Sequence, residues 1–391
     1  MRRCQDAGGR PRIWTVLDVT TALLYDERCL LHDNGSMILD ERAREWLTVP
    51  HFERPERVAR TVQVLERAGV LDQLHRVAVP EATSDDLELA HTREFVRRIH
   101  AACRRGEFAW VGPEARVGPK SWTPAVLAAG GAVAAVDAVL EGTVRNAFVM
   151  LRPPGHHSTK DTAMGFCLFN SVAVAARHAQ RRRGLKRLAI VDWDVHHGNG
   201  TQDHFYDDPS VLFVSIHQDD LYPAGSGTLE QSGGSSAEGG TVNIPLPAGS
   251  GDHGYAYAFE RIVEPILEAF RPELLLVSAG QDPAASDPLG RMSVTTEGFR
   301  DLTARALSAA ARLCEDRLVV LLEGGYSLEH APFCNLAIVE ALAGLPRSFV
   351  TDPIELDVTD RLRTIDRGAV EAVAETYARW WPSLIKTRSG K

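Results

Sequence analysis

The stretch DWDVHHGNG, residues 192–200, decides how this sequence is interpreted. It directly follows the apolar run 188–191, a pattern typical of a short buried strand. Two carboxylates and two imidazoles therefore stand where a strand gives way to a turn. On an extended backbone the side chains of Asp194 and His196 point the same way, and two such groups on one face begin a divalent-metal site. A polar turn rich in histidine is the alternative, and the stretch alone does not exclude it.

Further apolar runs resemble the one at 188–191. They are rich in Val, Leu and Ile without strict alternation, as expected of strands buried on both faces. Helical patterns lie between several of them. Strands alternating with helices predict an α/β fold with a mostly parallel sheet. The other predicted strands are 147–151, 211–216, 274–277 and 318–322, and the predicted helices are 125–140, 167–181, 254–270, 296–314, 331–343 and 370–381.

Polar groups follow every predicted strand. In parallel α/β sheets, ligands bind outside the carboxyl ends of the strands. The recurrence of His, Asp and Tyr at five strand ends therefore favours a metal site over a structural turn. Besides residues 192–200, these groups are His156 and His157 in RPPGHH, His217 followed by Tyr222, Asp282 in SAGQDP, and Tyr326 in EGGY.

Three of these residues suit a catalytic metal. Asp194, His196 and Asp282 are N and O ligands, and three protein ligands with an open position are typical of catalytic zinc. Hydrolysis at such a site needs a nearby base. His156 and His157 are adjacent, so one is expected to be the base while the other tunes the charge.

The remaining polar groups have supporting roles in this interpretation. Asp192 and Asn199 can each orient one of the two imidazoles and set its tautomer. Tyr326 can donate its hydroxyl to a developing oxyanion. Together these residues predict metal-assisted hydrolysis of an amide.

Composition limits the class of protein. The 391 residues are 44% hydrophobic and carry a formal net charge of −9, which argues against a nucleic-acid binder. No uncharged apolar run suggests a membrane span, and the six scattered cysteines indicate a reduced, cytoplasmic protein. We expect a disordered lead-in at 1–12 and a single catalytic domain with a C-terminal helix at 13–391.

The motifs RPPGHH, GFCLFN, DWDVHHGNG, SAGQDP and EGGY resemble, in order and spacing, those of the histone deacetylase family. The likeness covers residues 25–345 and is greatest to bacterial class II histone deacetylase-like amidohydrolases. It implies an arginase/deacetylase-like, three-layer α/β/α domain with a mostly parallel, eight-stranded sheet. It also implies Zn²⁺ bound by Asp194, His196 and Asp282, although the sequence does not distinguish zinc from iron in the cell.

The resemblance assigns further roles. His157 would be the general base and His156 its electrostatic partner, held by Asn199 and Asp192 respectively. Class I members carry Asp where Asn199 stands, so the second imidazole should be less strongly polarised here. Tyr326 would be the transition-state tyrosine. The resemblance also implies that K⁺ is bound beside the zinc. Its expected ligands are Asp192, Asp194, the His196 carbonyl, Ser215 and Ile216, and a second K⁺ site is expected near the carbonyls of Phe205, Asp208 and Val211.

An acyl-lysine channel is implied by the same resemblance. Its expected residues are Gly165, Phe166, Tyr222, Leu289 and Gly325. Relatives usually have Phe at the position of Tyr222, and many have Phe where Gln281 precedes the metal-binding Asp282.

Substrate class remains open at this point. Acylated lysine in peptides or proteins competes with small acylated amines such as acetylpolyamines. Vertebrate polyamine deacetylases carry Glu where Leu289 stands, which favours acyl-lysine, but bacterial ones can use acidic groups at a dimer interface. A non-catalytic acyl-lysine reader and a two-metal, arginase-type hydrolase fit less well. By analogy with bacterial relatives, we expect a homo-oligomer, a dimer or a tetramer, and no nucleic-acid or membrane partner.

Overall fold

The computed structural model describes residues 4–5, 11–12, 21–356 and 361–385. The predicted lead-in lies outside these residues except for Cys4–Gln5 and Pro11–Arg12, which pair as antiparallel strands. The boundary between lead-in and domain therefore stays a prediction.

Eight strands between residues 21 and 322 form one sheet, and every pair in it is parallel. The spatial order is β6-β5-β4-β7-β8-β3-β1-β2, so the predicted architecture is confirmed. The strands are β1 (Thr21–Leu24), β2 (His75–Arg76), β3 (Asn146–Val149), β4 (Leu188–Asp192), β5 (Val211–Gln218), β6 (Thr241–Leu246), β7 (Leu274–Ala279) and β8 (Leu318–Leu322).

All five predicted strands are present, with ends shifted by two residues at most. The prediction missed β1, β2 and β6. The first two have four and two residues, too few for a clear apolar pattern. Strand β6 contains Pro245, and it lies at the edge of the sheet, where a residue without an N–H donor is tolerated.

Helices cover the sheet in two groups. Helix α5 packs against α6 and against the sheet, whereas α11 packs against both α2 and α10. The α-helices in the described ranges are α1 (Glu41–Arg44), α2 (Glu56–Arg67), α3 (Ser84–Leu87), α4 (Arg93–Cys103), α5 (Trp122–Leu140), α6 (Ser171–Arg181), α7 (Asn199–Phe205), α8 (Asp252–Ala258), α9 (Glu264–Phe270), α10 (Thr296–Leu313), α11 (Ala331–Ala343) and α12 (Thr364–Tyr377).

Two predicted helices have different bounds in the structure, one because of a capping residue and the other because of a π-helical turn. The predicted helix 167–181 begins only at Ser171, because the side chain of Asn170 accepts a hydrogen bond from Ala173 N at 3.0 Å. The predicted helix 254–270 is α8 and α9 joined by a π-helical turn, Phe259–Val263.

Helix α5 is long and apolar enough to cross a membrane by length and composition. In this fold 78% of its most apolar window is buried inside the protein, as is typical of a core helix. Between α4 and α5 the chain forms a small antiparallel hairpin, Ala109–Gly112 with Ala115–Val117.

The parallel arrangement fixes where the polar groups meet. Residues at the carboxyl ends of β3, β4, β5, β7 and β8 all emerge at one edge of the sheet. Strands β4, β7 and β8 are direct neighbours in the centre, so residues 192–196, 280–282 and 323–326 come together there.

Candidate active site

Three potential metal ligands converge at this edge. One ligand atom each from Asp194, His196 and Asp282 lies within 4.8 Å of the other two. His196 Nδ1 is 3.0 Å from Asp194 Oδ1 and 3.1 Å from Asp282 Oδ2. Both carboxylates are fully buried. Two buried carboxylates facing one imidazole suit a divalent cation, which compensates charges that are otherwise costly to bury.

The backbone around the ligands differs from the extended one expected from the sequence. Strand β4 ends at Asp192, and residues 194–196 form a bend. Carboxylates stabilise the bend, because Asp194 N donates to Asp192 Oδ1 at 3.1 Å and His196 N donates to Asp194 Oδ1 at 2.9 Å. The two side chains converge because the chain turns, and the prediction of an extended backbone was wrong.

Two glycines leave room for the ligand carboxylates. A Cβ on Gly280 would lie 2.1 Å from Asp194 Oδ2, and a Cβ on Gly324 would lie 2.1 Å from Asp282 Oδ2. Gly324 N also donates to Asp194 Oδ2 at 2.8 Å. The carboxylates are therefore held by backbone donors in a space that any side chain would close, and the residues present fit a resident metal ion.

Beside the ligands, His156 and His157 form a stacked pair with ring centroids 4.0 Å apart. His156 Nδ1 is 3.0 Å from Asp192 Oδ2, and His157 Nδ1 is 2.8 Å from Asn199 Oδ1. Asn199 Nδ2 donates to the Met164 sulfur, which leaves its oxygen facing His157. Each imidazole thus has the orienting partner that the sequence predicted.

The two histidines differ in charge. Burial alone would lower both pKa values, but Asp194 and Asp192 raise the pKa of His156 well above its ordinary value. Burial and then the positive charges of His156 and His196 hold the pKa of His157 well below its ordinary value. A cationic His156 beside a neutral His157 is the arrangement expected of an electrostatic partner and a base.

Tyr326 lines the cavity above these groups. Burial raises the pKa of its hydroxyl well above 10, so the phenol keeps its proton and can donate it. The Arg57 guanidinium lies over the ring, 4.6 Å from its centroid, and Arg57 Nε donates to Gly325 O at 2.6 Å. The loop bearing Tyr326 is therefore held by a cation from another part of the chain.

Arg57 belongs to a buried ion cluster. Glu53 accepts two hydrogen bonds from Arg152, at 2.8 and 2.7 Å, and one from Arg57 at 3.2 Å. Asn34 Nδ2 donates to the same carboxylate at 2.6 Å. Although burial opposes it, Arg152 holds the pKa of Glu53 well below its usual range. The cluster joins the loop before α2 to the strand end that precedes His156.

A cavity of about 380 Å³ leads from the surface to His157, His196 and Tyr326. Its walls include four of the five predicted channel residues, Gly165, Phe166, Tyr222 and Leu289. The fifth, Gly325, lies beneath Tyr326 and carries a φ of 111°, which only glycine adopts readily. A Cβ on Gly165 would lie 2.4 Å from His157 Cδ2, so glycine is needed for the wall to approach the base.

The predicted K⁺ ligands lie close together in part. Asp192 and Ser215 are direct partners on β4 and β5, and Ile216 follows on β5. Near the second site, Arg177 lies 4.5 Å from the Phe205 ring and its guanidinium is paired with the Asp208 carboxylate. Both K⁺ sites stay predictions.

Sequence reasoning missed several residues around the site. The available signals were Arg152 within RPPGHH and Glu323 within EGGY, both at strand ends. Glu323 Oε2 accepts hydrogen bonds from Gly155 N at 2.6 Å and His156 N at 3.1 Å. Glu53 and Asp287 gave no such signal, because each reaches the site from a loop.

Comparison with known proteins gives a consistent result. Residues 51–342 match the family model described as the histone deacetylase domain. The chain is 43% identical to a histone deacetylase-like amidohydrolase of Pseudomonas aeruginosa over 338 residues, which cover 85% of this chain and 88% of that protein. It is 40% identical to a probable deacetylase of Archaeoglobus fulgidus, over 86% of this chain and 89% of that one.

A solved structure gives the same result. The crystal structure of the HDA15 HD domain superposes with a TM-score of 0.82 at 35% identity, covering 93% of this chain and 98% of that one.

Proposed function

The chain belongs to the histone deacetylase family, and on that premise we propose that it is a zinc-dependent deacylase acting on acylated lysine side chains. Family membership supports deacetylation of acyl amides. One observation carries the finer proposal: the cavity ends where the ligand trio, the histidine pair and Tyr326 meet.

Each residue has a distinct task in the proposed reaction. Asp194, His196 and Asp282 would hold Zn²⁺, which when bound polarises the substrate carbonyl and lowers the pKa of water. His157, neutral and oriented by Asn199, accepts the proton of the attacking water. Tyr326, protonated, donates a hydrogen bond to the oxygen on which negative charge develops. The cationic His156 stabilises that charge and stays paired with Asp192.

The channel supports a long, slender acyl-amine chain. The aromatic rings of Phe166 and Tyr222 line the channel, and the Tyr222 ring lies 5.1 Å from the His157 ring, centroid to centroid. Leu289 adds an apolar contact at the rim and no charge. An alkyl side chain such as that of lysine buries its methylenes against these groups while its acyl end reaches the floor.

One observation favours a second candidate, hydrolysis of small cationic acyl amines. Glu114 lines the same cavity. The pKa of Tyr222 is raised first by burial of Tyr222 and next by the negative charge of Glu114. A carboxylate at the rim attracts a second ammonium group on the substrate. In this respect Glu114 could replace the charge that Leu289 lacks.

A substrate comparison tests the proposal. The zinc-loaded enzyme is assayed with an acetyl-lysine peptide, a trifluoroacetyl-lysine peptide, and acetylated putrescine or spermidine. We expect kcat/KM to be highest for a lysine peptide, and Tyr326→Phe to lower it by about 100-fold or more. A preference for the polyamine that Glu114→Gln abolishes would instead establish the second candidate. Unchanged turnover in Tyr326→Phe would refute the mechanism.

The predicted cytoplasmic location, the homo-oligomer and the absence of nucleic-acid and membrane partners remain proposals. By analogy with relatives, the loops 50–57 and 106–120 are candidates to meet a second copy or to form the rim of the channel.

A further inference from the structure

We propose that Asp287 is a positioning residue: its carboxylate holds Tyr326 and the channel wall at Leu289 in a fixed relation to each other. The inference rests on the proposed function, because it names what sets the place of the catalytic hydroxyl. Asp287 follows the ligand Asp282 by five residues but does not line the cavity.

The two oxygens of this carboxylate are divided between two loops. Oδ2 accepts hydrogen bonds from Tyr326 N at 2.6 Å and Ser327 N at 3.1 Å. Oδ1 accepts one from Leu289 N at 2.9 Å. The loop after β8 and the loop after β7 therefore meet at one side chain, and Asp287 is only 7% exposed. Hydrogen bonds in a buried place are strong and directional, because water does not compete for the donors.

The loop after β8 needs such an anchor. Gly325, with a φ of 111°, restricts the backbone before Tyr326 less than any other residue would, so contacts from outside the turn have to fix its conformation. Arg57 holds this turn from one side, at the Gly325 carbonyl and over the Tyr326 ring. Asp287 holds it from the other side, at the Tyr326 amide. When both sets of contacts are present, the position of the Tyr326 hydroxyl depends mainly on rotation of its own side chain.

The same carboxylate fixes the position of the channel wall at Leu289 relative to Tyr326. Leu289 lines the channel, and its amide is bound to the group that binds the Tyr326 amide. A shift of the wall relative to the tyrosine would place a bound acyl group out of line with the hydroxyl. Misplacement of about 1 Å is enough to lower a rate substantially.

An amide cannot do what the carboxylate does here. Asparagine has one acceptor oxygen, so Asp287→Asn can serve Tyr326 and Ser327 or Leu289, but not both. Its NH₂ group would face a backbone N–H at the remaining position. The substitution keeps the volume of the side chain and removes one of the two holds, which makes it a sharp probe.

The test is a double-mutant cycle of Asp287→Asn with Tyr326→Phe, assayed on an acetyl-lysine peptide. We expect Asp287→Asn alone to lower kcat by about tenfold or more, with a smaller change in KM. In the Tyr326→Phe background it should lower kcat by less than about twofold, because the hydroxyl it positions is absent. Equal losses in both backgrounds would overturn the proposal.

Two control variants separate positioning from general loosening. Ser286→Ala removes a 2.8 Å hydroxyl bond between the same two loops, to Ser327, without touching Asp287. Asp301→Asn breaks an exposed ion pair with Arg305. Both should leave kcat within about twofold of wild type. If Asp287→Asn does not fold, Asp287→Glu, which keeps the charge but displaces it, is assayed in the same cycle.

Hydrogen exchange provides a readout that does not need turnover. In Asp287→Asn, either the amides of Tyr326 and Ser327 or the amide of Leu289 should exchange at least about tenfold faster, since one oxygen cannot accept from both sides. Unchanged exchange at all three amides would refute the Asp287 assignment even if the wild type hydrolyses no substrate tested. Absence of wild-type turnover with faster exchange in the variant would refute the proposed function alone.

Discussion

Two adjacent histidines in this protein have pKa values shifted in opposite directions, because carboxylates surround His156 whereas burial and neighbouring cations act on His157. His156 faces a carboxylate, Asp192, and His157 faces a neutral amide, Asn199. His156 is therefore expected to be protonated and His157 to be neutral. Class I relatives, by resemblance, have a carboxylate at the second position, and the neutral Asn199 adds no negative charge to offset the effect of burial on the pKa of His157.

A single substitution tests this at the level of the residue. Asn199→Asp places a negative charge at the His157 Nδ1 position, 2.8 Å away, and should raise the pKa of His157. The acidic limb of the pH profile of kcat/KM should then move to higher pH by about one unit or more. Gln73→Glu, which makes the same change of charge at an exposed site away from the cavity, is the control. An acidic limb at the same pH in Asn199→Asp would contradict the assigned base.

Part of this site could be predicted from the sequence alone. Asp194, His196, Asp282, Tyr326 and the histidine pair follow strands, and strand ends of a parallel sheet share one edge. Their convergence could be predicted from that rule. The contributions of Glu53, Arg57 and Asp287 could not, because a loop's path depends on packing rather than on local pattern.

At the scale of elements, the loop before α2 is stabilised by a buried ion cluster. Glu53 and Arg152 are fully buried and doubly hydrogen-bonded, and Arg57 shares the carboxylate. A buried ion cluster adds little to the free energy of unfolding compared with well-packed apolar residues of the same volume. Removing one partner is nevertheless costly, because it leaves a charge unpaired in the interior.

Glu53→Gln is therefore expected to lower the free energy of unfolding by about 3–5 kcal/mol, measured by urea denaturation. Glu81→Gln, which breaks an exposed pair with Arg28, should cost less than about 1 kcal/mol. Similar losses in the two variants would show that the buried cluster is not a structural anchor.

Elements were predicted well where their pattern was long. The buried helix α5 and the five central strands have apolar runs that the sequence displays directly. Strands β1 and β2 are too short to show one. Their places in the sheet come from pairing with β3 and with each other, which is tertiary information.

For the whole molecule, stability should depend on buried neutral histidines. His91 lies in an aromatic cluster with Phe95 and Phe169, and its Nε2 accepts a hydrogen bond from Asn170 N at 2.9 Å. Burial lowers its pKa to about 4. The unfolded chain binds a proton there below about pH 6.5 and the folded protein does not, so folding loses stability as pH falls from about 6.5 to about 4.

His91→Gln removes this titration while keeping an acceptor for Asn170. The difference in unfolding free energy, wild type minus variant, should fall by about 3 kcal/mol between pH 7 and pH 4. Replacement of the exposed His75 by Gln controls for the loss of an imidazole. A difference that stays constant over this range would show that His91 does not titrate as assigned.

We propose that the chemistry of the whole molecule requires one metal ion held by Asp194, His196 and Asp282. The most direct measurement is a titration of chelator-treated protein with Zn²⁺, following metal binding by calorimetry and turnover of an acetyl-lysine peptide in parallel. We predict that turnover is lost on chelation and returns in proportion to one tight equivalent of zinc per chain. We also predict that Asp282→Asn neither binds this equivalent tightly nor recovers. Full turnover by the metal-free protein, or recovery without binding at this trio, would contradict the account.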